Sequence, residues 1–113
     1  MTIQSFMDLT GATLVTAETD TNREITCGYT CDLLSWVMSH GAAGMAWITV
    51  QTHMNVIAVA TLMDMAAVIA PEGIVFENDV IEKASDEGIA LLTSDKTAYE
   101  LSGLMCAAGI AAN

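Results

Sequence analysis

The run Trp47-Ile48-Thr49-Val50 passes through the polar turn Gln51-Thr52-His53 into an almost wholly apolar stretch that starts near Met54 or Asn55 and reaches Asp64. A short apolar run bounded by a turn reads as a buried strand, and a longer one as a helix. The strand of this pair extends over residues 45–51. The same alternation follows twice more. Residues 66–70 read as a strand closed by Pro71-Glu72-Gly73, and residues 78–87 as a helix with Val80, Ile81 and Ala84 inward. Residues 89–92 read as a strand, and residues 96–108 as the last helix. Successive strand–helix units imply a parallel or mostly parallel sheet with right-handed crossovers. The strands show little polar alternation, as a sheet covered on both faces requires. The expected fold class is therefore α/β: a small three-layer sandwich with a mostly parallel central sheet, Rossmann-like.

Upstream of residue 45 the signals are shorter. Residues 3–9 form an amphipathic lead-in within the segment 1–11, and residues 12–16 alternate with β-branched side chains, as a strand does. A turn over residues 18–22 separates that strand from a second extended piece over 24–29. Residues 32–39, with Leu33, Leu34, Trp36, Val37 and Met38, read as a short helix stopped by His40-Gly41. A chain of 113 residues supports one core, so residues 1–113 are expected to form a single domain.

The charge balance removes whole classes of partner. Fourteen acids against three basic residues give a formal charge of −11, a field that repels phosphodiester backbones and anionic lipid alike. Neither nucleic acid nor a membrane is an expected partner, and no apolar run reaches the ~18 residues that a spanning helix needs. The first residues lack the basic head and apolar core of a secretory signal. Cys27, Cys31 and Cys106 are therefore expected to be reduced thiols, and the protein cytoplasmic.

Polar groups gather at two turns that a parallel sheet would bring to one edge. Thr52, His53 and Asn55 stand where the first turn of a helix leaves backbone N–H groups free, able to hold a phosphate or carboxylate or simply to be capped. Thr93, Ser94 and Asp95 precede the last helix in the same way. Thr30 and Asp32 stand at the start of the first crossover helix, where a carboxylate suits the positive end of the helix dipole. The candidate ligand-binding residues are thus Thr52, His53, Asn55, Thr93, Asp95 and Asp32, for a small anionic ligand at the strand ends. Catalytic signatures are missing: the sequence contains no phosphate loop, dinucleotide glycine fingerprint or nucleophile elbow. No catalytic residue and no cofactor is expected. Cys27 and Cys31, with three residues between them and His40 downstream, leave a metal or redox role as an alternative, although the spacing is neither the redox pair nor a zinc knuckle.

The helix after residue 54 is apolar on almost every face, through Val56, Ile57, Ala58, Val59, Ala60, Leu62 and Met63. Such a helix must be covered on both sides. One source of cover is a second copy in a two-fold homodimer, with Trp36, Trp47, Met54, Val59, Met63 and Met65 as candidate contacts. The other is the N-terminal segment folding across it. A heterologous protein partner would leave no recognisable mark in the sequence.

Three stretches together resemble the DRTGG-domain family: Gly28-Tyr29-Thr30-Cys31-Asp32-Leu33-Leu34-Ser35-Trp36-Val37-Met38, Trp47-Ile48-Thr49-Val50-Gln51-Thr52-His53-Met54-Asn55-Val56-Ile57-Ala58-Val59-Ala60, and Gly88-Ile89-Ala90-Leu91-Leu92-Thr93-Ser94-Asp95-Lys96-Thr97-Ala98-Tyr99-Glu100. The resemblance covers roughly residues 14–110. Members are small α/β modules, some standing alone and labelled HPr-kinase-related, others set between CBS domains of pyrophosphatases or in phosphotransacetylases. The chain departs from the family at its name motif, carrying Ala70-Pro71-Glu72-Gly73 where many members have Thr-Gly-Gly. The resemblance implies a non-catalytic regulatory or assembly module that self-associates, and carries over no catalytic residues.

Overall fold

The computed structural model describes all 113 residues. In chain order the elements are α1 (Ile3–Thr10), β1 (Thr13–Leu14), β2 (Cys27–Thr30), α2 (Leu34–His40), β3 (Met45–Ile48), α3 (Met54–Leu62), β4 (Ala67–Ala70), α4 (Asn78–Glu87), β5 (Ala90–Thr93) and α5 (Ala98–Ala107). One five-stranded sheet runs in the order β1-β5-β4-β3-β2, parallel from β2 to β5, with β1 antiparallel at the edge. The expected three-layer α/β sandwich is what forms.

The strands lack alternation because both faces are covered, and successive residues serve opposite layers. Met45 and Trp47 of β3, Val68 and Ala70 of β4, and Leu91 of β5 pack under α2, α3 and α4. Ala46 and Ile48, Ala67 and Ile69, and Ala90 and Leu92 face the other way, against α1 and α5. On that second face the register lines up Gly28, Ala46, Ala67 and Ala90 as a row of small residues. The row lets α5 approach closely. A Cβ on Gly28 would collide with the Met105 Cε methyl, so this glycine makes room for a neighbour.

The N-terminal segment does not cover α3. Residues 3–10 form α1, capped by the Thr2 hydroxyl accepting from the Ser5 amide and closed by Gly11 at φ 75°. Its Ile3 and Phe6 are fully buried on the opposite side of the sheet, beside Leu101 of α5. Burying two such side chains is worth roughly 3–6 kcal/mol, so the lead-in is part of the core. The expected strand over residues 12–16 shortens to Thr13–Leu14, although Val15 still donates to the Leu91 carbonyl at 2.9 Å. No helix is long and apolar enough to cross a membrane.

Candidate functional site

The junction after β3 is closed on itself. One carboxylate oxygen of Asp32 accepts from both the Thr49 hydroxyl and the Val50 amide, each at 2.9 Å, and the Asp32 carbonyl accepts from the Gln51 side-chain amide at 3.2 Å. The Trp47 indole donates to the Cys31 carbonyl at 2.8 Å. Asp32 therefore ties the segment after β2 to the one after β3. It does not cap α2, whose N-cap is Leu33 with no side-chain bond. The helix begins two residues later than expected, and the carboxylate is free to reach across to the neighbouring strand end.

Thr52, His53 and Asn55 enter neither this clamp nor a cap. His53 is the N-cap residue of α3 but makes no capping bond, and it is exposed, as is Asn55. Asn55 lies beside a hollow formed with Leu34, Met38, Ala58, Val59 and Leu62, on the helical face.

The junctions after β4 and β5 are arranged differently. The helix that follows β4 packs on one face of the sheet and the helix that follows β5 on the other. Their loops part, and a crevice opens at such a switch point in an α/β sheet. Here it is a cavity of about 200 Å³ lined by Gly11, Thr13, Gly73, Val75, Thr93, Ser94 and Asp95. Thr13 and Thr93 are cross-strand partners on β1 and β5. One wall is the turn Pro71–Ile74, in which Glu72 at φ 59° and Gly73 at φ 72° both take left-handed backbone and Ile74 donates to the Pro71 carbonyl at 3.1 Å. Two glycines would hold this turn without strain. Bonds from the Gly73 amide to the Ser94 carbonyl (2.9 Å) and from the Glu72 amide to the Lys96 carbonyl (2.8 Å) fix that wall against the floor.

The start of α5, next to the crevice, carries its own carboxylate. Thr97 and Glu100 form a reciprocal capping box, each side chain accepting from the other's backbone amide at 3.1 Å. Hydrogen bonds from the Thr97 backbone and then its hydroxyl, with the Lys96 charge nearby, hold the Glu100 carboxyl below the usual glutamate range. The Thr-x-x-Glu spacing at 97–100 was visible in the sequence. The two turns share one sheet edge, yet the crevice includes Thr93 and Asp95 and none of Thr52, His53, Asn55 or Asp32.

The cysteine alternative fails on distance. Cys27 and Cys31 are four residues apart along extended chain, with the Cys31 amide still bonded to the Ile48 carbonyl at 3.2 Å. At about 3.3 Å per residue their Cα atoms stand roughly 13 Å apart. Two ligands of one zinc ion, each with a Zn–S bond of about 2.3 Å, cannot be that far apart, nor can the partners of a disulfide.

The candidate interface residues divide. Trp47 and Met65 are fully buried within the chain and Val59 nearly so, all inside the core under α2–α4, which removes them as partner contacts. Met63 is half-buried against Gly41. Met54 stays at the surface, and Trp36 is exposed on α2, its ring stacked on His40, which stacks in turn on Tyr29. The outer ridge of α3 is Met54, Ala58 and Leu62, spaced by four, with Leu62 66% exposed. Hollows flank the ridge on both sides: one toward Leu34 and Met38, the other toward Lys83 and Glu87 of α4. Ala58 and Leu62 border both. Aromatic and methionine content had suggested Trp47 and Met65, but composition does not separate inside from outside.

With strand order, crossover sides and strand ends described, the comparison with solved structures is decisive for the fold. A crystal structure of the CBS and DRTGG domains of the regulatory region of the Clostridium perfringens pyrophosphatase, complexed with activator, diadenosine tetraphosphate, superposes with a TM-score of 0.71 over 92% of this chain. The fold is DRTGG-like. Sequence identity is 14%, so the likeness is one of architecture, and the chain spans 45% of the length of that structure's chain. No protein-family model and no curated protein matches the sequence. The DRTGG-like fold carries the crevice at the ends of β4 and β5 and the exposed ridge of α3 at separate places on its surface.

Proposed function

We propose that this chain is a non-catalytic regulatory or assembly module that works as a homodimer joined through α3. The observation that carries the reading is the ridge Met54-Ala58-Leu62, apolar and exposed on a helix with no charged residue, which no other part of the chain covers. A ridge flanked by two hollows is complementary to a copy of itself. In a two-fold pairing each ridge enters the partner's groove, and the small Ala58 lets the helices approach. Leaving such a ridge in water costs free energy that pairing recovers at about 25 cal/mol per Å² of apolar area. The pyrophosphatase structure with this fold comes from a regulatory region, which agrees with a controlling part rather than a catalytic one.

Native mass spectrometry and sedimentation at micromolar protein test the reading. Twice the monomer mass is expected, and Leu62→Glu is expected to weaken association at least 100-fold, the loss of an interface anchor. Leu62 is mostly exposed, so the variant's circular dichroism should match the parent. A parent protein that is monomeric at these concentrations overturns the dimer.

A second reading is favoured by the crevice: small-molecule sensing at the strand ends. The pyrophosphatase region was crystallised with a nucleotide activator, which agrees with ligand response in this architecture. A ligand-dependent rise in melting temperature would support it.

A further inference from the structure

We propose that the crevice between the ends of β4 and β5 binds an uncharged polyol, a sugar-sized group with two adjacent hydroxyls, through Asp95, Thr93 and Thr13. The proposal rests on the sensing reading and is independent of the dimer.

The side chains around the crevice set the chemistry. At the strand ends Asp32 and Thr49 are bonded to each other, Ser94 to the Lys96 amide and Thr97 to Glu100, while the unbonded Thr52, His53 and Asn55 stand outside the crevice. The Thr13 and Thr93 hydroxyls and the Asp95 carboxylate form no hydrogen bond inside the protein, and all three border one cavity. The two hydroxyls belong to directly paired residues, whose Cβ atoms in an antiparallel pair are about 5 Å apart. A carboxylate only accepts, while a hydroxyl both donates and accepts. The complementary ligand must therefore bring donors to Asp95 and acceptors or donors to the threonines. Adjacent hydroxyl groups do both, and the two oxygens of one carboxylate span such a pair.

Charge and size narrow the class. An anion would meet the Asp95 carboxylate in a chain of net charge −11. The capping box takes the Glu100 amide and sets the Glu100 carboxylate at the start of α5, where it would repel a phosphate. The proposed class differs from the small anionic ligand that the sequence suggested. A volume of about 200 Å³ is below the ~300 Å³ at which drug-sized ligands are enclosed, so the cavity suits one ring. Val75, 73% exposed, supplies an apolar wall for the C–H face of a sugar. The bonds from Gly73 and Glu72 to Ser94 and Lys96 set the walls before any ligand arrives, which lowers the ordering cost of binding.

Amide NMR of the ¹⁵N-labelled chain, titrated with methyl β-D-ribofuranoside, its 2-deoxy analogue (which has no adjacent hydroxyls) and ribose 5-phosphate, tests this. The ribofuranoside is expected to shift the amides of Gly73, Thr93, Ser94 and Asp95. Binding should be about tenfold weaker or worse for the 2-deoxy analogue, for ribose 5-phosphate and for the ribofuranoside on the Asp95→Asn variant. The amide spectrum of that variant away from the crevice, and its melting temperature, serve as the control for folding. Equal response to the two neutral sugars, or an unchanged response in Asp95→Asn, overturns the diol assignment. Preference for ribose 5-phosphate overturns the uncharged class while leaving ligand sensing in place. No shift with any probe overturns the proposal, and the sensing reading is then judged separately by melting-temperature screening of other ligands.

Discussion

The strand ends after β3 and after β5 are built from the same kinds of side chain, a threonine and an aspartate, and employ them in opposite ways. At the first, Thr49 is fully buried and Asp32 is bonded to it and to the Val50 amide. At the second, Thr93 and Asp95 border an open cavity, and their side chains form no hydrogen bond within the chain. Topology accounts for the difference. The helices after β2, β3 and β4 all pack on one face, so the junction between β2 and β3 closes, whereas the chain changes face after β5 and leaves a gap. Residue type therefore says little about whether a strand-end aspartate is structural or free. The side to which the next helix goes says more.

That contrast can be broken by substitution. Asp32→Ala should cost about 2 kcal/mol in denaturant unfolding, because it strands the buried Thr49 hydroxyl and the Val50 amide. A cost below about 0.5 kcal/mol, which is the range for an ordinary surface change and the range expected for Asp95→Asn, would erase the distinction between the two junctions. Glu72→Gly should stabilise the protein by about 0.5–1 kcal/mol by relieving left-handed backbone at a residue with a Cβ. Destabilisation instead would show that the Glu72 side chain supports the crevice wall.

The smallest effect is electrostatic. Glu100 has its folded-state pKa lowered by Thr97, so its contribution to stability is full above the usual glutamate range and fades as pH falls through the lowered value. Comparing the pH dependence of unfolding with that of Glu100→Gln isolates this contribution. A parallel pair of curves would mean that the capping box does not hold α5 in solution.

Much of the architecture was legible because the physics behind it is local. Apolar runs at residues 45–51, 66–70 and 89–92 bounded by turn residues specify buried parallel strands, and Gly88, at φ 74°, ends α4 where expected. The antiparallel pairing of Thr13–Leu14 was not legible, since two residues carry no period. The site was read less well. Which of two strand-end threonine–aspartate pairs is satisfied depends on the side chosen by α5, and that choice is made by Leu101 and Met105 meeting a row of small residues contributed by four different strands. Similarly, Trp47 carries the signature of an interface residue and is instead the centre of the core, because its indole finds the Cys31 carbonyl inside.

The placement of α1 against α5 has a consequence for the order of assembly. One side of the sheet is built from neighbours in sequence, with each crossover helix docking on the strands it connects. The other side joins residues 3–10 to residues 98–107, contacts that require almost the whole chain to be gathered first. Such long-range contacts bear the largest loop-closure entropy and form late. Amide protons of α1 and α5 are thus expected to exchange through partial openings in which β2 through β5 and their helices remain protected, making the joined chain ends the cooperative unit that releases first.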